Sequence, residues 1–411
     1  MSGLERLNAT SSTVHGGIDS AASQLSQSPV ATKGICLLSL DGGGVRGLST
    51  LIILRYLMAK VNSGLPPGHH KKPYEIFDMI GGTSTGGLIA IMLGRLKMDV
   101  QECIDVYNSM FEEIFGSPVH KFKVTVALQI QSQFDSEILR RCILRIVAKS
   151  QNLADDDKKA IATATSLPGS QKAKDALISS AAAKVLLDDG EARGCRTFVC
   201  ATAYETQNTV HFRDYPRADL GVPNKVTIVD AACATSAATS YFDAVVINGR
   251  TYRDGGFGAN NPVNEVWHEA REVWVKDDYD DEVQLDKILK CFISIGTGAP
   301  RTEGMKESVK GFVDTLKNMV TQTKRSADDF MKSHRNLTKI DGRQRYFRFN
   351  VDQGLQEVGL EEYKKTPLVE AATEGYMESP DRENLVALCA NNLKLKTSVS
   401  LLEEIPDMDF S

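Results

Sequence analysis

The 411-residue sequence has no long hydrophobic run. Its longest apolar stretches lie at Ile35 to Leu40, Leu51 to Leu54 and Leu88 to Leu93. All fall far short of the ~18 consecutive apolar residues of a membrane-spanning helix, so no transmembrane segment is expected. A basic excess is missing too. The 48 Lys and Arg are outweighed by 53 Asp and Glu, a formal net charge of -5. That removes the whole-chain electrostatic footprint of a nucleic-acid binder. Residues 1–33 lack the apolar block of a secretory signal and are rich in Ser, Ala, Thr and Gly. They read as a disordered N-terminal tail, and the cytoplasm, with peripheral contact at membranes, is the expected location. The eight cysteines are scattered, with no C-x-x-C and no histidines at zinc spacing, so neither a disulfide framework nor a metal site is expected.

Hydrophobic residues at 42% and charged residues at 25% suit a globular chain with a sizeable core. Order is expected from Gly34. Ile35 to Leu40 is a strand-length run, apolar on both sides, as a central parallel strand covered on each face would be. A helix is expected from Leu48 to Val61, a second strand at Ile76 to Ile80, and an apolar helix at Leu88 to Leu96. Further strands are expected at 197–204, 210–212, 244–247 and 292–295, with helices at 99–115, 135–149, 228–238 and 262–275. Strand followed by helix, repeated, defines a layered α/β domain with a mostly parallel sheet. Residues 150–192, dominated by Ala, Lys, Asp and Ser, break this rhythm. They read as a mobile surface insertion or a helical one over a rim of the site. The expected organisation is a domain over 34–351 containing that insertion, followed by a helical extension over 352–411.

Gly82-Thr-Ser84-Thr-Gly86 matches G-x-S-x-G between an expected strand and an expected helix. In that context the motif forces a serine onto a sharp turn, with small flanking residues preventing clashes. Ser84 would then stand at a helix N-terminus, where free amides and the helix dipole favour a developing negative charge.

A hydroxyl needs an adjacent base, and the seven histidines are poorly placed for it. His268, in the helix after Pro262, is the fallback. Asp254, followed by Gly255 and Gly256, ends an expected strand just before the 262–275 helix. This strand-to-helix edge is where open α/β sheets build their sites. Such a carboxylate needs burial and a direct hydrogen bond to act as a base.

Asp41-Gly-Gly-Gly-Val-Arg46-Gly47 follows a strand and opens a helix. Consecutive glycine amides suit an oxyanion hole, where one donor contributes ~3 kcal/mol in acyl transfer. The same run fits G-x-G-x-x-G, but a dinucleotide site also needs an acid about 20 residues on, after a second strand. The segment Val61 to Gly68 has neither. Arg46 has two readings, a partner for a substrate phosphate or a salt bridge that fixes the loop.

These residues together resemble the patatin-like phospholipases. The D-G-G-G-x-R-G loop, the G-x-S-x-G elbow and D-G-[GA] occur in that order, at Asp41 to Gly47, Gly82 to Gly86 and Asp254 to Gly256. Ala234 to Phe242 and Ile293 to Gly298 are similar to further family segments, with Thr239 where the family usually has proline. The resemblance implies a three-layer α/β/α patatin-like fold with a mostly parallel central sheet. It also implies a Ser84–Asp254 dyad, with Gly43 and Gly44 as oxyanion donors and no metal or nucleotide cofactor. The substrates it implies are lipids with fatty acyl esters. Gly42, Arg46, Thr83 and Thr85 are the neighbouring positions expected to contact substrate.

A lipase must reach its lipid. Residues Lys324 to Arg348 carry Lys324, Arg325, Lys332, Arg335, Lys339, Arg343, Arg345 and Arg348 against Asp328, Asp329 and Asp341, with Phe330, Tyr346, Phe347 and Phe349 interleaved. This is either a surface for anionic headgroups or a solvated helix followed by a core strand. An acyl-ester hydrolase is the leading reading. Acyl transfer from the same acyl-enzyme, or a catalytically silent lipid-binding protein, are the alternatives.

Overall fold

Strand β1 (Ile35–Leu40) is buried along its whole length, and its alternating side chains divide the molecule into layers. Cys36, Leu38 and Leu40 enter one apolar cluster. Ile35 and Leu37 enter another, with Phe198, Trp267, Phe292 and Phe330. The computed structural model describes residues 34–403 apart from 67, 117–131, 218–224, 240, 276–280, 299–309 and 340–343. The N-terminal stretch read as a tail lies outside the described residues.

After β1 come helix α1 (Gly47–Asn62), strand β2 (Met79–Thr83) and helix α2 (Thr85–Ala90). The chain continues with α3 (Val100–Phe115), α4 (Ser136–Lys149), and the pair α5 (Asp155–Ser166) and α6 (Gln171–Ala182). Strands β3 (Arg196–Ala203) and β4 (Thr209–Arg213), helix α7 (Ile228–Thr235), and strands β5 (Val245–Ile247) and β6 (Arg250–Asp254) follow. Helix α8 (Val263–Trp274), strand β7 (Leu289–Ile295), helix α9 (Lys310–Ser333), strand β8 (Tyr346–Phe349), and helices α10 (Thr366–Met377) and α11 (Pro380–Glu403) complete the described chain. The strands form one sheet in the order β5-β6-β3-β2-β1-β7-β8, with β4 also paired to β3. Its centre, β3-β2-β1-β7-β8, is parallel. The β3-β4, β3-β6 and β5-β6 pairs are antiparallel. Helices cover both faces, so the fold is the expected three-layer α/β/α arrangement with a mostly parallel sheet. No helix among the described residues is long and apolar enough to cross a membrane.

One local boundary differs from expectation. Ile76 closes a short helix, Pro73–Ile76, rather than opening a strand; Pro73 in its first turn has no N–H to lose and its φ is already helical. Strand β2 then runs through Gly81 and Gly82 to Thr83, because at Gly81 the ring of Phe198 and a methyl of Val266 occupy the space of a Cβ. Of the two readings of 150–192 the structure has the helical one, with α5 and α6 packed against each other.

Register explains how two distant motifs meet. β2 ends at Thr83 opposite Cys200, and β6 begins pairing with β3 at Ala201, opposite Asp254. β4 occupies the other side of Ala201 and Thr202. β2 and β6 therefore share one edge of β3, arriving from opposite directions and abutting where Ser84 leaves the sheet.

Candidate active site

Ser84 has φ 54° and ψ -127°, a positive-φ conformation that a non-glycine residue holds only when its surroundings impose it. Gly82 and Gly86 make the bend possible: a Cβ on Gly82 would lie 2.2 Å from the Gly86 carbonyl oxygen. The Ser84 N–H donates to Thr235 Oγ1 (3.0 Å), whose hydroxyl donates to the Cys200 carbonyl (2.6 Å). The elbow is thus tied to α7 and β3, elements remote in sequence.

Ser84 Oγ donates to Asp254 Oδ2 at 2.6 Å. The other carboxylate oxygen, Oδ1, accepts the Gly256 N–H at 2.7 Å. Asp254 is buried and has no salt bridge to a cation among the described residues. Burial therefore raises its carboxyl to about 6, against the lowering by hydrogen bonds from Ser84 and Gly256. A buried base titrating near the working pH, in contact with the proton it would take, suits proton transfer. His268 is exposed on α8 and does not line the cavity.

The glycine loop is held by contacts from distant elements. Gly42 N–H donates to the Asn260 carbonyl and Val45 N–H to the Leu360 carbonyl. The Gly42 carbonyl accepts from Thr297 Oγ1 (2.9 Å), and the Gly44 carbonyl from the Tyr107 hydroxyl (2.6 Å). Gly44 is left-handed at φ 58° and packs on the Leu360 carbonyl, which a Cβ would meet at 2.2 Å. As the first residue of a 3-10 turn, its amide has no acceptor within the turn. Gly43 differs: its N–H donates to Thr85 Oγ1 at 3.1 Å.

Gly42, Gly43, Gly44, Arg46, Ser84 and Asp254 all line one cavity of about 850 Å³. Thr83 and Thr85, expected to contact substrate, do not. Thr83 is fully buried and donates to the Ala259 carbonyl at 2.5 Å, while Thr85 holds Gly43. Both brace the wall. Arg46 lies 4% exposed with Nη1 unbonded; burial lowers it to about 10, opposed by Tyr241 and Tyr107. Of its two readings the salt bridge is not formed among the described residues. Arg348, absent from the expected site, fixes the loop instead, its guanidinium gripping Asp41. Asn260, which packs beside Gly42, was also missed.

The basic stretch divides. Phe330, Tyr346, Phe347 and Phe349 are core residues. Arg345 donates to the Asp286 and Leu289 carbonyls, and Arg348 is part-buried on the wall of the same cavity. Lys324, Arg325 and Lys332 stand at the cavity mouth. Asp341 and Arg343 lie outside the described residues.

A serine on a strained elbow, a buried carboxylate hydrogen-bonded to it and a glycine loop thus share one cavity at the edge of an α/β sheet. The patatin-like phospholipase family model matches residues 38–267. The chain belongs to that family. It is 26% identical over 358 residues to calcium-independent phospholipase A2-gamma of Rattus norvegicus, covering 86% of this chain and 40% of the relative. It is 24% identical over 392 residues to phospholipase A I of Arabidopsis thaliana, covering 85% of this chain and 27% of that protein. The chain thus spans less than half the length of these relatives. Among solved structures, VipD from Legionella pneumophila is similar at a TM-score of 0.40 and 12% identity, covering 89% of this chain and 67% of that one.

Proposed function

We propose that this chain hydrolyses fatty acyl esters of phospholipids through a Ser84–Asp254 dyad. The observation that carries the reading is the 2.6 Å hydrogen bond from Ser84 Oγ to Asp254 Oδ2. Asp254 takes the hydroxyl proton as Oγ attacks the acyl carbonyl, giving a tetrahedral oxyanion. Gly44 N–H and the first amides of α2 receive that charge, while the Gly43 N–H is engaged by Thr85 Oγ1 at 3.1 Å. Collapse transfers the proton from Asp254 to the departing alcohol and leaves an acyl-serine. Water, deprotonated by Asp254, then frees the fatty acid.

Family membership supports a lipid substrate. Arg46 narrows it: a buried guanidinium with no carboxylate partner among the described residues, on the wall beside the glycine loop, favours a lipid that brings its own anion, a phosphodiester. Lys324, Arg325 and Lys332 at the mouth add positive charge where a headgroup enters, though Asp328 and Asp329 share that rim.

Labelling with a fluorophosphonate tests the dyad. Wild-type protein is expected to be labelled and Ser84→Ala not at all. A label that persists in Ser84→Ala removes the proposed nucleophile.

A further inference from the structure

The family match ends at residue 267, yet the glycine loop is gripped by residues well beyond it. Arg348, on β8, forms a two-pronged ion pair with the first residue of the loop: Nη1 donates to Asp41 Oδ1 at 2.9 Å and Nη2 to Oδ2 at 2.6 Å. Nη1 also donates to Ser294 Oγ at 2.7 Å. Asp41 is 1% exposed. Burial raises its carboxyl and Arg348 opposes that rise. Gly296 clears the way, since a Cβ there would lie 2.6 Å from Arg348 Nη2. Thr297 and Leu360 take hold of the next residues of the loop. The role of the segment Ile293 to Gly298 is therefore physical. Ser294 and Gly296 seat the guanidinium, and Thr297 holds the Gly42 carbonyl.

We propose that Arg348 is a positioning residue for catalysis: through its fork on Asp41 it fixes the pose of the glycine loop, and with it the angle at which the Gly44 amide faces the reacting carbonyl. The inference rests on the proposed acyl hydrolysis for its kinetic consequence and on geometry alone for its structural one. Arg348 acts through Asp41. A planar fork on a carboxylate fixes direction as well as distance, which a lysine at the same place does not. An oxyanion donor displaced by a fraction of an ångström loses transition-state binding while substrate binding in the cavity persists.

The test uses the full chain with Arg348→Ala, Arg348→Met, Arg348→Lys and the double variant Asp41→Asn/Arg348→Met. The double variant removes the buried charge pair together, so it folds where a lone buried carboxylate prevents folding. Expected for every folded variant is a fall in kcat of roughly 100-fold with KM within about threefold. Guanidinium at non-denaturing concentration is expected to restore part of kcat in Arg348→Ala and none in Ser84→Ala. Hydrogen exchange provides the arm independent of activity: amides of Gly42–Val45 are expected to exchange faster in the double variant, with those of β3 unchanged. Unchanged exchange in the loop overturns the inference whether or not the protein hydrolyses lipid. So does wild-type kcat in a folded double variant, or equal losses in kcat and 1/KM. Faster loop exchange in a protein that shows no ester hydrolysis would uphold the positioning and reject the proposed function instead.

Discussion

Asp254 and Glu269 are both buried carboxylates, and their surroundings are opposite. Glu269, on α8, receives Arg213 Nε on Oε2 (2.7 Å) and Arg217 Nη1 on Oε1 (3.0 Å), the Tyr215 hydroxyl on Oε2 (2.6 Å), and His211 Nδ1 at 3.2 Å. Burial alone would raise its carboxyl, but the hydrogen bonds from Arg213 and His211 and their charges hold it well below the usual range. His211 itself, with Glu265 on its other nitrogen at 2.8 Å, is pushed well up in spite of its burial, by hydrogen bonds with Cys200 and the two glutamates. Asp254 has a hydroxyl and an amide for company, and burial raises it to about 6. One carboxylate is an anchor joining β4 to α8. The other is kept away from cations, at a cost in stability, and so retains an affinity for a proton. A buried acid is a candidate base when its environment leaves it unpaired.

The sharpest way to break this contrast is Asp254→Asn. Asparagine can still accept from the Gly256 amide and meet the Ser84 hydroxyl, so the shape survives and the base is lost. Turnover is expected to fall roughly 10³- to 10⁴-fold. Stability should move the other way. A carboxyl raised from 3.8 to about 6 by folding disfavours the folded state by up to about 3 kcal/mol once ionised, at roughly 1.36 kcal/mol per unit. The cost is full above pH 6, shrinks as pH falls through 6 and is gone below 3.8. Asp254→Asn is therefore expected to be more stable than wild type at about pH 8 and nearly equal at about pH 4, measured by urea unfolding at both values. Wild-type turnover should drop about tenfold per pH unit below 6. A less stable Asp254→Asn at the higher pH would show that the carboxylate is an anchor after all.

Glu269→Gln is the mirror experiment. It leaves Arg213, Arg217 and protonated His211 facing a neutral amide in a buried site, where removing one partner costs about 3–5 kcal/mol. Glu269 does not line the cavity that holds Ser84 and Asp254, so turnover per folded molecule is expected to stay within about twofold. Because its folded carboxyl is depressed from 4.5, the stability it contributes is present above that value and is lost only in stronger acid; the deficit of the variant should thus be full at neutral pH. A loss of turnover without loss of stability would move Glu269 into the machinery.

What the sequence disclosed and what it hid follow from the range over which each feature is encoded. The elbow at Gly82 to Gly86, the loop at Asp41 to Gly47 and the turn at Asp254 to Gly256 each carry their geometry in a few adjacent residues, and all three arrive at one cavity. Arg348 stands 307 residues from the Asp41 it grips, and no local pattern separates it from the other basic residues of 324–348. Thr83 and Thr85 flank Ser84 in sequence, but the strand end and the helix start turn their side chains into the wall. The Glu269 cluster did leave a trace: His211 and Arg213 alternate on one face of a strand, and Glu265 and Glu269 are one helical turn apart. Neither pattern alone says that the two meet.

Thr235→Val offers the smallest and most local change to the comparison, because it perturbs Ser84 without touching either carboxylate. Thr235 Oγ1 accepts the Ser84 N–H and donates its own proton to the Cys200 carbonyl. Ser84, at φ 54°, sits in a conformation worth roughly 1–3 kcal/mol of strain, and this relay is one of the contacts that hold it there. Valine keeps the shape and leaves a buried donor and a buried acceptor unpaired, a loss of about 1–2 kcal/mol. If the relay sets the elbow, fluorophosphonate labelling should slow about tenfold, and Thr235→Ser should restore it. Labelling at the wild-type rate in Thr235→Val would mean that Gly82, Gly86 and the Asp254 hydrogen bond suffice. The strained serine would then be held by the packing of two glycines and one carboxylate, with its amide contributing nothing to the pose of the hydroxyl.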